Sequence, residues 1–263
     1  MSITTNMTGA TKSHQRVWAV GDIHGARSRL ATLLAEAGLI DAQGQWRAGD
    51  DLGVCVGDYF NRGPEGAAVA QWLRALQTQA RAAGGDLITL LGNHEVLMCG
   101  VLTERASVPY GEVAGRWLMN GGRFRDLEAL ERAPDLVAWL RALPALALVN
   151  DTLFVHSDSL VYCELGATVD EVNAAVTAIL RSGDLDRIAA LFDQLSRRRE
   201  LGDASAVASL LRHFGARRVV HGHTPTYASA PVITHDGRCV NIEGALWESD
   251  DAEVYGFVYW EAE

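Results

Sequence analysis

Lysine is nearly missing from this chain: Lys12 is the only one, and the rest of the basic charge is arginine. With 23 basic against 33 acidic residues the formal net charge is −10. Such a chain repels a nucleic-acid backbone unless a local basic patch intervenes. The run Arg197-Arg198-Arg199 is the only patch of that kind, and its plain reading is a solvated helix end. A nucleic-acid duplex is therefore not an expected partner. Cysteine is sparse too. Cys55, Cys99, Cys163 and Cys239 offer no CxxC spacing, which removes zinc-finger and thioredoxin readings. Reduced core thiols are expected. Long apolar runs are lacking: residues 143–149 are too few to span a bilayer and contain Pro144. Residues 1–15 have no apolar leader segment and read as a flexible tail. No membrane contact and a cytoplasmic location are expected.

What is present suits a folded protein: 48% hydrophobic and 21% charged residues over 263. Apolar runs at 17–20, 52–56 and 87–91 each end in a glycine, and helical periodicity follows at 26–37 and 64–83. Strand, glycine-rich loop and helix thus recur three times, the pattern of parallel strands joined by helical crossovers. Residues 112–143, 168–181, 184–196 and 205–214 read as helices. Strands are expected at 146–149, 153–156, 218–221, 232–234, 239–242 and 254–260, with Asn150-Asp151 as a hairpin turn. No linker or fixed-period repeat divides the chain. The fold class expected is α/β: one domain over 16–263, two mixed sheets packed face to face, helices outside. Ligands would bind beyond the carboxyl ends of the strands.

Chemistry-bearing residues gather at those ends. Gly21-Asp22-Ile23-His24-Gly25 follows the first strand, Gly57-Asp58-Tyr59-Phe60-Asn61-Arg62-Gly63 the second, and Gly92-Asn93-His94-Glu95 the third. His156 ends a later strand, and His221-Gly222-His223-Thr224 ends another. A lone Asp after a strand is usually a helix cap, and a lone His a hydrogen-bonded structural residue. Five strand ends in succession with Asp, His or Asn, four of them beside glycine, make coincidence a poor account. Oxygen and nitrogen donors of this kind suit Mn, Fe or Zn.

This constellation resembles the calcineurin-like metallophosphoesterases, and within them the phosphoprotein-phosphatase branch with its GDxHG, GDxxDRG, GNHE and late GH motifs. The stretches 91–98 and 220–226 are most similar to the bacterial Shewanella-like protein phosphatases. The resemblance covers residues 17 to about 243. It implies two divalent or transition metal ions (Mn, Fe or Zn). Asp22 and His24 would ligate the first, Asp58 would bridge, and Asn93, His156 and His223 would ligate the second. A bridging hydroxide would attack phosphorus in line. His94 would protonate the leaving group or bind the phosphate, and Arg62 would clamp the phosphoryl group. Arg199 is a second candidate clamp, and surface charge is an equal reading of it. Glu95 and Asn120 read as supporting residues, and His221 as buried and hydrogen-bonded.

Two departures stand out. The family has Asp where this chain has Asn61, so the partner of His94 is uncharged and a weaker general acid is expected. The strand histidine is usually followed by two glycines and here by Ser157-Asp158, which implies a different loop path or an Asp158 near the metals. Near misses narrow the field. Met98 replaces the second His of HExxH, Lys12-Ser13 lacks the glycine of a Walker A loop, and Pro225 interrupts the GHxH of phosphodiesterases. The function expected is a metal-dependent phosphatase acting on phosphoprotein Ser/Thr or Tyr, or on small phosphomonoesters. The alternatives are a dinucleoside polyphosphate or nucleotide hydrolase and a weakly catalytic metal-binding regulatory protein. Oligomeric state is not expressed in these motifs.

Overall fold

The computed structural model describes residues 16–108, 111–248 and 256–261. The expected tail, with Lys12, lies outside them. Strands β1 (Val17–Val20), β2 (Leu52–Cys55) and β3 (Asp86–Thr89) are parallel, in the order β3-β2-β1. Helices α1 (Arg27–Glu36) and α2 (Gly66–Ala82) make the crossovers. α2 begins two residues later than its periodicity indicates, because buried Asp126 accepts the Ala67 N–H at 2.9 Å and fixes the first turn there. After β3 the chain enters α3 (Asn93–Arg105) directly, then α4 (Glu112–Met119), α5 (Phe124–Glu131) and α6 (Pro134–Leu140).

A second sheet follows. β4 (Leu146–Val149) and β5 (Thr152–Val155) form the expected hairpin, and Asn150 supplies the left-handed turn residue at φ 52°. Helices α7 (Val161–Leu165), α8 (Val169–Arg181), α9 (Leu185–Leu195) and α10 (Ala204–Phe214) lead to β6 (Arg218–His221), β7 (Val232–Thr234) and β8 (Cys239–Asn241). The strand order is β4-β5-β6-β8-β7, with β5, β6 and β8 parallel. The last strand, β9 (Tyr259–Trp260), is much shorter than expected among the described residues. It joins the first sheet, antiparallel to β1.

Strand periodicity explains the layering. Val17 and Ala19 of β1, Val54 of β2, Phe154 of β5 and Val220 of β6 share one buried cluster between the sheets. Their neighbours Trp18, Val20, Cys55, Leu153 and Val219 belong to the larger cluster beneath the helices, with Leu30, Leu73, Val172 and Leu191. Both faces of each central strand are buried, which is why these strands read as unbroken apolar runs instead of alternating ones. The carboxyl ends of β1, β2, β3, β5, β6 and β8 supply the loops that meet at the site.

Candidate metal centre

Asp22, His24, Asp58, Asn93, His94, His156 and His223 are all buried, and their polar atoms converge. Potential ligand atoms of Asp22, Asp58, His156 and His223 lie within 4.8 Å of one another, and so do those of His24, Asp58 and His94. Asp58 belongs to both groups, the position expected of a bridging carboxylate. Its Oδ2 lies 3.5 Å from His24 Nε2, and its Oδ1 lies 3.4 Å from His156 Nε2.

The loops reach this packing through backbone that most residues avoid. His24, Asp58, Asn61, Arg62 and His223 all have positive φ, between 45° and 69°. Asp, Asn and His tolerate that region best among non-glycine residues. Glycine is required where a carboxylate lies against the chain. A Cβ on Gly92 would sit 2.2 Å from Asp58 Oδ1, and one on Gly222 2.5 Å from Asp22 Oδ1. Glu95 ties two loops together by accepting the N–H groups of Asp58, Tyr59 and Gly92 at 2.7–2.8 Å.

The four imidazoles divide by what their outer nitrogen does. His24 Nδ1 donates to the Phe60 carbonyl (2.8 Å), His156 Nδ1 to Val56 (3.1 Å) and His223 Nε2 to Ser196 (3.3 Å). A carbonyl only accepts, so each ring keeps its proton outside and turns a lone pair inward. Two of those inward atoms, His24 Nε2 and His223 Nδ1, are buried without any hydrogen-bond partner. The third, His156 Nε2, faces Asn93 Oδ1 at 3.0 Å, acceptor against acceptor. Burial holds all three rings below the usual histidine pKa, which favours the neutral form. Converging lone pairs beside two carboxylates are stable when a cation lies among them, so the donor set fits a pair of divalent metals. His94 is the reverse case. Trp117 Nε1 donates to Asn61 Oδ1 (2.8 Å), so the Asn61 NH2 faces His94 Nδ1 at 2.6 Å. The His94 proton then sits on Nε2, towards Asp58 Oδ2 at 3.8 Å. That ring presents a donor to the centre.

Burial also pushes Asp22 up to about 6, Asp58 to about 7 and Glu95 to about 8 when no cation offsets their charge. A cavity of about 320 Å³ opens above the cluster, lined by Arg62, Asn93, His94, Arg116, Asn120, Ser196, Arg198 and His223 among others. The Arg62 guanidinium lies over the Trp247 ring at 4.4 Å. Arg116 is paired with Asp193.

Arg198, and not Arg199, reaches the cavity wall. Arg199 has φ 67° and gives its N–H to Asp158 Oδ2 (2.8 Å), so the chain turns there and its exposed side chain lies off the cavity. Asp158 does not join the ligand cluster. Its Oδ1 accepts from Thr224 Oγ1 at 2.8 Å, and so it fastens the loop after β5 to those bearing Arg198 and His223. Asn120 caps the C-terminus of α4, gives its amide to the Arg116 carbonyl at 2.8 Å and lines the cavity. His221 is buried and donates to the Gly222 carbonyl.

Sequence reasoning missed Glu243, Trp117, Trp247 and Ser196. Buried Glu243 accepts the Asp22 N–H at 2.7 Å. It follows β8 and precedes glycine, the same strand–acid–glycine signal used elsewhere. The other three carry no such signature.

Residues 15–227 match the family model for the calcineurin-like phosphoesterases. Over 83 residues, 32% of this chain and 21% of the relative, the sequence is 37% identical to Shewanella-like protein phosphatase 2 of Arabidopsis thaliana. It is 28% identical over 144 residues to the symmetrical bis(5'-nucleosyl)-tetraphosphatase of Aromatoleum aromaticum, 54% of this chain and 43% of that protein. The matched segments are thus less than half the length of either relative. A solved cold-active protein tyrosine phosphatase has the same fold, with TM-score 0.72 and 23% identity over 94% of this chain and 73% of that one.

Proposed function

Because the chain belongs to the calcineurin-like phosphoesterase family, we propose that it hydrolyses phosphate monoesters, foremost on phosphoprotein side chains, at two divalent cations. Asp22, His24 and Asp58 hold one, and Asp58, Asn93, His156 and His223 the other. The observation that carries this reading is the set of inward lone pairs on His24, His156 and His223 around Asp58. Bound there, such cations supply Lewis acidity and acidify water.

The chain's own groups do the rest. Arg62 and Arg198 line the cavity, and their charge acts on buried Asp58, so two guanidinium forks stand beside the centre where phosphoryl oxygens would bind. Trp247 lies under Arg62 and sets its plane. His94 Nε2–H donates to the leaving oxygen or to the phosphoryl group, and Asn61 with Trp117 holds the ring in that tautomer.

A dinucleoside polyphosphate is the second reading, favoured by the tetraphosphatase relative. Charge weighs against it. Arg116 is already paired, so Arg62 and Arg198 suit one phosphoryl group better than a chain of four. Retention of His94 and Arg62 weighs against a purely regulatory metal-binding protein. The test uses metal-stripped protein reloaded with manganese. It is assayed on p-nitrophenyl phosphate, phosphoserine, phosphothreonine and phosphotyrosine peptides, and diadenosine tetraphosphate. Faster turnover of the monoesters is expected. Preference for the tetraphosphate would overturn the monoester reading, and metal binding without turnover would overturn the enzyme.

A further inference from the structure

We infer that Ser196 is the positioning residue of the second metal subsite, setting the orientation of two of its ligands at once. The inference rests on the proposed metal reading above. Ser196 is the C-cap of α9. Its hydroxyl donates to the Phe192 carbonyl at 2.7 Å, so its proton is committed and its lone pairs face outward. Asn93 Nδ2 donates to that oxygen at 3.1 Å. An amide has two ends, and an oxygen whose own proton is spent can only accept. The Asn93 NH2 is thereby drawn to Ser196, and Oδ1 is turned to the centre, 3.0 Å from His156 Nε2. Reversal of the amide would put an NH2 where the cation needs an oxygen.

The Ser196 carbonyl acts on the other ligand. It accepts from His223 Nε2 at 3.3 Å, which leaves the buried, unpartnered Nδ1 inward. This carbonyl lies at the C-terminal end of α9, where the helix dipole adds negative potential and strengthens it as an acceptor. One residue therefore sets an amide orientation through its side chain and a tautomer through its backbone. Partners of this kind, one shell out from the metal, tune affinity strongly.

The two contacts separate experimentally, because substitution removes only the hydroxyl. Metal-stripped wild type, Ser196→Thr and Ser196→Val are titrated with manganese(II) by calorimetry. Spin coupling between the two ions is followed by electron paramagnetic resonance. Thr and Val have the same shape and differ in the hydroxyl alone. Wild type is expected to bind two coupled ions, and Thr to match it within about threefold. Val is expected to keep the first binding event and weaken the second by about 10–100-fold, with isolated-ion spectra. Thermal melting without metal checks folding, and Ser196→Ala replaces Val if Val is unfolded. Tight binding of two coupled ions by Val or Ala overturns the inference and leaves the metal reading intact, as does a Thr variant as weak as Val. A wild type that binds fewer than two ions overturns both.

Discussion

Because the Trp117 indole donates to Asn61 Oδ1, the Asn61 amide meets His94 with its NH2. An aspartate there would accept from the ring instead and favour an imidazolium. His94 is already held well below the usual histidine range, chiefly by burial. Wild-type His94 is therefore neutral at neutral pH and above, and adds no limb of its own to the rate profile there. In Asn61→Asp the new charge raises its pKa. kcat/KM of that variant is expected to gain a limb that falls as pH rises through the new value. Superimposable profiles would show that the amide has no such role. His94→Asn is expected to lower kcat by about 10²- to 10⁴-fold with both metals still bound, measured by turnover beside metal analysis. The proposed ligands were legible in the sequence because each sits at or just after a strand end, all but His156 beside a glycine. The tautomer of His94 was not, because it depends on Trp117, 56 positions from Asn61 in sequence.

Among the elements, the central strands were legible because burial on both faces makes them unbroken apolar runs. Their pairing was less so. β9 lies at the far end of the chain and pairs with β1, a contact no local pattern announces. The arginine run was legible only as charge. The left-handed turn at Arg199 decides which member reaches the cavity, and Asp158 holds that turn. Asp158→Ala removes hydrogen bonds to Arg199 N and Thr224 Oγ1. Each such loss costs about 1–3 kcal/mol when the freed group stays buried. The loop carrying Arg198 is then free to move, so KM is expected to rise several-fold more than kcat falls. Equal, wild-type values of both in steady-state kinetics would show that Asp158 does not position Arg198.

For the whole molecule, the buried charges set how stability depends on pH. Burial holds His24, His156 and His223 below about 6.5, the ordinary histidine value, so their effect is confined to lower pH. Above it the raised carboxylates remain, Asp58 at about 7 and Glu95 at about 8. Such a group keeps its proton in the folded state and has lost it in the unfolded one, so stability falls as pH rises towards the folded pKa. Metal-free protein is expected to lose Tm between about pH 6.5 and 8, whereas cations that offset the charge remove the loss. The Tm gained from manganese over chelator should therefore grow with pH, as read by differential scanning fluorimetry. A gain that shrinks with pH would refute this. The six proposed ligands are contributed by both sheets, from position 22 to position 223. On the ribosome, a nascent chain offers only part of that set until its sixth strand has emerged, so the complete proposed set comes together late in biosynthesis, with only β7, β8 and β9 of the described strands still to follow.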